Sequence, residues 1–247
     1  MTEYDLLVDL HQHNHRQGPG SDETTRKAIH LMGTVNFEKI ADIGCGTGGQ
    51  TLILAQNFKG TVTAVDLFPI FLNKLQTQAE QHHLSHKIKT LVASMEDLPF
   101  EKEEFDLIWS EGAIYNMGFE KGLQYWKDFL KPGGYLAVSE ISWTLDKRPS
   151  QIEEYWQNHY PEIDTVSGKI KILEKQGFSP LAHFLLPEND WIDHYYLPLQ
   201  SQMPAFLERY PDNPLAQKIS KAEKEEFQFY QKFKNYYSYG FYIGKKL

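Results

Sequence analysis

Short, nearly continuous apolar runs recur along the first 145 residues, and segments with helix-like apolar spacing lie between them. Runs that are apolar throughout, rather than alternating, are typical of parallel strands covered on both faces. The predicted strands are 39–44, 61–66, 88–94, 105–111 and 135–142, and the predicted helices between them are 48–57, 69–83 and 119–130. Strand and helix repeated in this way predict an α/β fold with a doubly wound sheet.

The last third of the chain has a different pattern. Two more strands are predicted, at 177–187 and at 236–246, the second of them rich in aromatic residues. The long connection between them is dense in aromatics and prolines, and a connection of this length is usually functional or has helices of its own. We therefore predict a helical cap at 188–235, ending in a helix at 223–237, within a single domain of residues 1–247.

Composition is that of an ordinary globular protein. Hydrophobic residues make up 41% of the chain and charged residues 23%. No stretch approaches the roughly 20 apolar residues of a membrane span, and the N-terminus lacks the basic start and apolar run of a secretory signal. A lone cysteine, Cys45, excludes an internal disulfide framework and fits a reducing compartment. We expect a cytoplasmic protein.

The charge balance limits the class of partner. The net charge is −8 and the pI is near 5.7. Nucleic-acid binding requires a basic face to meet the phosphates, so this balance argues against it. The expected substrate is a small molecule, and the oligomeric state cannot be read from the sequence.

A glycine-rich segment, KIADIGCGTGGQT, contains the first predicted strand and the turn that follows it. Its Gly44-x-Gly46-x-x-Gly49 spacing is that of a dinucleotide-binding turn, where a Cβ would block the close approach of backbone and ligand. Asp42 precedes the first glycine, and a carboxylate there would repel a pyrophosphate but suit an ammonium group. S-adenosylmethionine carries an ammonium and a sulfonium and has no phosphate. Asp42 therefore favours this cofactor over NAD.

A second acidic residue, Asp66, ends the second predicted strand. A carboxylate at this place accepts hydrogen bonds from ribose hydroxyls, in NAD and in S-adenosylmethionine alike. Asp66 thus indicates an adenosine ligand without choosing between the two.

Five motifs occur in a fixed order: ADIGCGTGGQT, AVD, ASMEDLPF, FDLIWSEG and LKPGGYLAV. Together they resemble the class I S-adenosylmethionine-dependent methyltransferases, over roughly residues 36–145. The most similar group within them acts on small molecules and includes the menaquinone/ubiquinone C-methyltransferases and the glycine/sarcosine N-methyltransferases. The resemblance implies a Rossmann-like, mostly parallel, seven-stranded sheet with an antiparallel last strand, and transfer of a methyl group to a small-molecule acceptor.

The resemblance also implies roles for individual residues. The methionine part of the cofactor would be bound by Asp42, Gly44, Gly46, Gly48, Ser110 and Glu111. The adenosine part would be bound by Asp66, Leu67, Ser94, Met95 and Glu96. Family members often have aspartate where this chain has Ser94, so the contact with the adenine amino group would be made without charge. The Asn/Asp-Pro-Pro-aromatic motif of methyltransferases that act on nucleic-acid bases is absent after the fourth strand.

The N-terminal region, residues 1–35, raises two alternatives. His11, His13 and His15 alternate in HQHNHR, but no carboxylate or cysteine cluster accompanies them, so we expect a polar, mobile segment and no metal.

The turn at Gly18 and Gly20 leads into a capped helix. Residues 1–20 either close over the cofactor as a lid or only precede a helix on the sheet edge, and they contribute no recognised core run.

No catalytic residue can be assigned from the sequence. Glu111, Glu140 and His159 are possible bases, although the sulfonium is already an activated donor and a base is optional. Among the aromatic residues, Tyr115 and Trp143 are the strongest candidates to line an acceptor pocket, because they follow strand ends and ligands bind in that crevice. Two other functions remain open: a cofactor-binding module without turnover, and an NAD-dependent oxidoreductase.

Overall fold

A mixed β-sheet forms the centre of the computed structural model, which describes residues 1–247. The strands are β1 (Lys39–Ile43), β2 (Thr61–Asp66), β3 (Ile88–Val92), β4 (Phe105–Ser110), β5 (Leu130–Trp143), β6 (Asp164–Thr165), β7 (Phe178–Leu185) and β8 (Tyr237–Lys246). Their order is β3-β2-β1-β4-β5-β8-β7, and the two-residue β6 pairs with β5 beside this path. Only β8 runs antiparallel to its neighbours. The predicted mostly parallel sheet with an antiparallel last strand is confirmed.

The helices surround this sheet. They are α1 (Glu3–His11), α2 (Asp22–Leu31), α3 (Gly49–Asn57), α4 (Pro69–Gln81), α5 (Phe119–Trp126), α6 (Ser150–His159), α7 (Val166–Lys175), α8 (Glu188–Trp191), α9 (Leu197–Arg209) and α10 (Pro214–Phe233). Side chains of α2, α3 and α4 join one apolar core, and those of α5 and α7 join the core on the other face. Both faces are therefore covered, as the continuous apolar strands require. No helix has the length and hydrophobicity needed to cross a membrane.

The fifth strand begins earlier than the sequence predicts. Residues 131–134, Lys-Pro-Gly-Gly, interrupt its pairing with β4: Phe105 pairs with Leu130, but Leu107 pairs with Tyr135. Gly133 has φ of +71°, which a glycine adopts without strain. The predicted turn is thus a bulge inside a longer strand.

The segment between β7 and β8 is helical, as expected for the cap. It contains α8, a π-helical turn at Ile192–Tyr196, α9 and α10. The last helix is longer than predicted because Asn213 caps its start, with Oδ1 accepting from the backbone N–H of Leu215 at 2.9 Å. Where the domain divides into cap, core and N-terminal part stays a prediction.

The N-terminal segment belongs to the core, and the expectation that residues 1–20 contribute no core run is wrong. Leu6 and Leu10 of α1 are fully buried against the cap helices, in a cluster with Leu199, Met203 and Phe206. The sequence signal was weak because α1 is short and its apolar face meets partners some 200 residues away in the chain.

The histidine-rich stretch is packed rather than loose. Asn14 and Arg16 are only 5% exposed, so the expectation of a polar, mobile segment is corrected. His11, the last residue of α1, faces Glu223 of α10, with 3.8 Å between Nε2 and Oε1. His15 is exposed and pairs with Asp22 at 3.3 Å. The three histidines do not converge into a group that could hold a metal ion.

Candidate functional site

The glycine loop joins β1 to α3 through three residues in left-handed conformations. Gly44, Gly46 and Gly48 have φ of +73°, +55° and +89°. A Cβ on Gly44 would lie 2.5 Å from Cβ of Ala113, and a Cβ on Gly46 would collide with the side chain of Gln17. The backbone conformation favours glycine at all three positions, and close packing on Ala113 adds to this at Gly44, whereas the collision at Gly46 involves only the flexible end of Gln17.

Asp66, at the carboxyl end of β2, ties this loop to the next one. Its Oδ2 accepts from the N–H of Gly46 at 2.8 Å, and its Oδ1 accepts from the N–H of Phe68 at 2.9 Å. Burial raises the pKa of Asp66, and the backbone donors oppose this shift. The carboxylate has further lone pairs on the cavity side for hydroxyl donors.

A cavity of about 440 Å³ lies at the carboxyl ends of β1 to β4. Its size is within the range of small-molecule and cofactor sites. It brings together most of the residues proposed from the sequence: Gly44, Gly46, Asp66, Leu67, Ser94, Met95, Glu96 and Glu111. Residues of the N-terminal segment, among them Tyr4, Arg16 and Gln17, close the other side.

Three of the proposed residues do not line this cavity: Asp42, Gly48 and Ser110. Gly48 starts α3 in a left-handed conformation and packs on Leu75. Ser110 is fully buried at the end of β4. Their proposed roles as direct contacts are therefore revised, because the pleat and the helix start turn them into the protein.

Asp42 lies beneath the glycine loop and is fully buried. Its Oδ2 accepts from the hydroxyl of Thr51 at 2.5 Å, and its Oδ1 accepts from Nε2 of Gln50 at 3.3 Å. Gln50 lines the cavity. Asp42 thus reaches the ligand site only through Gln50, as a positioning residue.

Burial raises the pKa of Asp42 to about 7, and the charge of Glu111 adds to this, while Thr51 and Gln50 oppose it. We expect the Asp42→Asn variant to lose part of the pH dependence of stability. The folded protein keeps a proton on Asp42 that the unfolded chain, with a pKa near 3.8, releases. The free energy of unfolding of the unliganded wild type should therefore fall between pH 4 and pH 7, by up to about 1.4 kcal/mol per pH unit from this group.

Urea unfolding at pH 5, 6, 7 and 8 measures this difference. Other buried carboxylates titrate in both proteins. The difference between wild type and variant in the slope of the unfolding free energy against pH therefore reports Asp42 alone. Parallel curves for wild type and variant would show that Asp42 is ionised throughout this range.

Arg16, which sequence reasoning missed, reaches into the cavity from the N-terminal segment. Its Nη1 donates to Oε2 of Glu111 at 2.7 Å, and each of the two side chains is 5% exposed. Oε1 of Glu111 accepts from Nε1 of Trp109 at 2.9 Å and from the hydroxyl of Thr25 at 2.7 Å. Glu111 is therefore held in one orientation by three donors from three elements.

Gln17 completes the closure. Its Oε1 accepts from the N–H of Thr47 at 2.8 Å, and its Nε2 donates to the Thr47 hydroxyl at 3.1 Å. This exchange fixes the N-terminal segment to the glycine loop. The only sequence signal for Arg16 and Gln17 was their place beside the turn at Gly18 and Gly20.

Of the other candidate bases and aromatic residues, only Tyr115 lines the cavity. Glu140 is fully buried and pairs with the equally buried Lys169 at 2.9 Å. His159 lies on the exposed side of α6, with Nδ1 2.7 Å from the carbonyl oxygen of Tyr155. Tyr115 lines the cavity, whereas Trp143 is buried beneath Arg148. Of the three candidate bases, Glu111 alone is a cavity residue.

A cavity at the switch between β1 and β4, with a glycine loop on one side and carboxylates after β2 and β4, defines a nucleoside-cofactor site of an α/β enzyme. A family profile described as a methyltransferase domain matches residues 40–134. The uncharacterized methyltransferase YodH of Bacillus subtilis is 30% identical over 173 residues, which are 69% of this chain and 73% of YodH. The chain belongs to the S-adenosylmethionine-dependent methyltransferase family.

Two further comparisons agree with this. Phosphoethanolamine N-methyltransferase of Triticum aestivum is 26% identical over 201 residues, which are 80% of this chain but only 38% of that enzyme. The chain thus spans well under half the length of this relative. A methyltransferase from Geobacter sulfurreducens, crystallised with S-adenosyl-L-homocysteine, has the same fold, with a TM-score of 0.86 at 15% identity over 98% of both chains. The predicted family, fold, enzyme class and cofactor are confirmed.

Proposed function

We propose that this protein transfers a methyl group from S-adenosylmethionine to a small-molecule acceptor, and that its cavity holds the cofactor with the methionine end at Glu111. The observation that carries the proposal is the Arg16–Glu111 pair on the cavity wall. An amino-acid group carries one ammonium and one carboxylate. Glu111 offers a carboxylate to the first, and Arg16 offers a guanidinium to the second.

The adenosine end fits the opposite part of the cavity. Asp66 accepts from the ribose hydroxyls, as an acidic residue at the end of this strand does in related folds. Leu67 is 56% exposed on the cavity side and offers an apolar face to adenine. Met95 and Glu96 flank the ring, and Ser94 offers a neutral hydroxyl to its edge.

The remaining residues orient the reactants and exclude water. S-adenosylmethionine supplies a methyl group on a sulfonium, so the nucleophile needs only an in-line position and loss of any proton it carries. Tyr115 borders the methionine end, where an acceptor would approach. Tyr4, Gln17 and Pro19 cover the cavity from the N-terminal side, which supports the interpretation of residues 1–20 as a lid.

The choice of partners follows the same chemistry. A small-molecule acceptor suits a cavity of this size, and the net charge of −8 opposes nucleic acid. The cytoplasmic location stays a prediction that rests on the single, buried Cys45.

Transfer of a tritiated methyl group from S-adenosylmethionine to a panel of amines, phenols, quinols and carboxylates tests the proposal. We expect labelled product with at least one acceptor class and production of S-adenosylhomocysteine in equal amount. A protein that binds S-adenosylhomocysteine but labels no acceptor from a full metabolite extract would instead be a binding module without turnover.

A further inference from the structure

Two exposed aromatic side chains lie at the same place in this protein. Among all the phenylalanine, tyrosine and tryptophan residues, only Tyr4 and Tyr115 are exposed, by 70% and 39%. Both line the candidate cofactor cavity. Aromatic rings contribute much favourable free energy when they are buried, and exposed apolar groups gathered at one place indicate a binding site. Tyr115 borders the methionine end, so Tyr4 is the exposed ring that still lacks a role.

The helix that carries Tyr4 is fixed by contacts that do not involve this residue. Leu6 and Leu10 are fully buried against the cap helices. Asp9 pairs with Arg209 of α9 at 2.6 Å. These anchors remain if the ring of Tyr4 is removed. The packing of α1 therefore does not explain why an aromatic residue stands at this position.

Tyr4 contacts the part of the cavity that follows β2. Its ring lies 6.4 Å from the ring of Phe68, at an interplanar angle of 31°. The N–H of Phe68 donates to Oδ1 of Asp66 at 2.9 Å, so the backbone of Phe68 is fixed beside the carboxylate proposed for the ribose. Leu67, between these two residues, is 56% exposed and lines the cavity. Tyr4 thus borders the end of the cavity proposed for adenosine.

The N-terminal segment meets the cavity at a second place with different chemistry. Arg16 donates to Glu111 at 2.7 Å, and Oε1 of Gln17 accepts from the N–H of Thr47 at 2.8 Å. These residues bring polar and charged groups to β4 and to the glycine loop, whereas α1 brings a ring to Phe68. An amino-acid group suits the charged place, and a flat base suits the ring.

We propose that Tyr4 is a cofactor-binding residue, whose ring packs on the adenosine part of S-adenosylmethionine. Every nucleobase has a π-face that stacks on aromatic side chains. Binding would also remove the exposed apolar surfaces of Tyr4 and Leu67 from water, which is favourable. The inference rests on the proposed function, because it adds to the same site a contact from outside the glycine loop and the strand ends.

Calorimetric titration of wild type and Tyr4→Ala with two ligands tests this role. S-adenosylhomocysteine carries both ends of the cofactor, whereas 5′-methylthioadenosine keeps the adenosine and the thioether but lacks the amino-acid group. We expect Tyr4→Ala to weaken the binding of both ligands about 5- to 150-fold, as the loss of one base–aromatic stack does. Tyr4→Phe keeps the ring and should bind both ligands as the wild type does.

Leu181→Ala is the matched control. It removes a large apolar side chain that is 45% exposed on β7 and lies outside the cavity. We expect this variant to bind both ligands with wild-type affinity. Thermal unfolding of unliganded Tyr4→Ala should give the wild-type melting temperature, because the ring is exposed and the anchors of α1 remain.

Two results of the titration would overturn the inference: wild-type affinity of Tyr4→Ala for both ligands, or a loss confined to S-adenosylhomocysteine, which would place Tyr4 at the methionine end. Nitration of the wild-type protein by tetranitromethane decides the matter independently. Saturating S-adenosylhomocysteine should protect Tyr4 but not Tyr236, which lies outside the cavity; equal nitration of Tyr4 with and without the ligand would contradict the inference. Failure of S-adenosylhomocysteine to bind the wild type at all would instead refute the proposed function.

Discussion

The Asp66→Ala variant is expected to bind S-adenosylhomocysteine more weakly by about 1–3 kcal/mol, which is roughly 5- to 150-fold in Kd. Two effects add. The ribose hydroxyls lose their acceptor, and the N–H groups of Gly46 and Phe68 lose the carboxylate that fixes the two loops. Isothermal titration calorimetry of wild type and variant measures the change.

The control for this experiment is Asp146→Ala, which removes a carboxylate from an exposed position. We expect its affinity to equal that of the wild type. If Asp66→Ala also binds with wild-type affinity, the adenosine end does not lie at the end of β2, and the orientation of the cofactor proposed above is wrong.

Deletion of residues 1–20 is expected to destabilise the protein as well as weaken the site. The loss of Leu6 and Leu10 uncovers the apolar faces of α9 and α10, and a single Leu10→Ala substitution should already cost about 2–5 kcal/mol. Deletion also removes the partner of Glu111 and the bonds between Gln17 and Thr47. Thermal unfolding and S-adenosylhomocysteine titration report the two effects separately.

Point variants separate packing from closure. Leu10→Ala should lower the melting temperature and change the cofactor affinity little, whereas Arg16→Ala should lower the affinity more than Leu10→Ala does. If the truncated protein melts at the wild-type temperature, α1 does not stabilise the cap. If it also binds with wild-type affinity, residues 1–20 take no part in the site.

Local patterns predicted the sheet and the loops at its carboxyl edge. The strands from Lys39 to Asp66 have the predicted bounds to within one residue, because most of their side chains are buried and their apolar runs are nearly continuous. The glycine positions of the loop could also be predicted from the sequence, because a left-handed backbone and close packing leave few other residues possible there. Asp66 and Glu111 fell on the cavity because they end parallel strands of one sheet.

Contacts between segments that are distant in the chain could not be predicted from local sequence patterns. The Arg16–Glu111 pair joins residues 95 positions apart, and nothing in the local spacing marks either as the partner of the other. Asp42 follows the motif but turns inward to Thr51 and Gln50, because its direction depends on the pleat and on the helix that packs over it. The cap–α1 cluster likewise depends on tertiary packing rather than on the periodicity of a nine-residue helix.

The central claim is that this cavity is built for S-adenosylmethionine rather than for a dinucleotide. The most direct measurement is calorimetric titration of the unliganded protein with S-adenosylhomocysteine and, separately, with NAD. Glu111 suits an ammonium group, and the cavity lining supplies one arginine, already paired with Glu111, to meet a pyrophosphate. We predict saturable binding of one S-adenosylhomocysteine per chain and no heat of binding with NAD; tighter binding of NAD would contradict the claim.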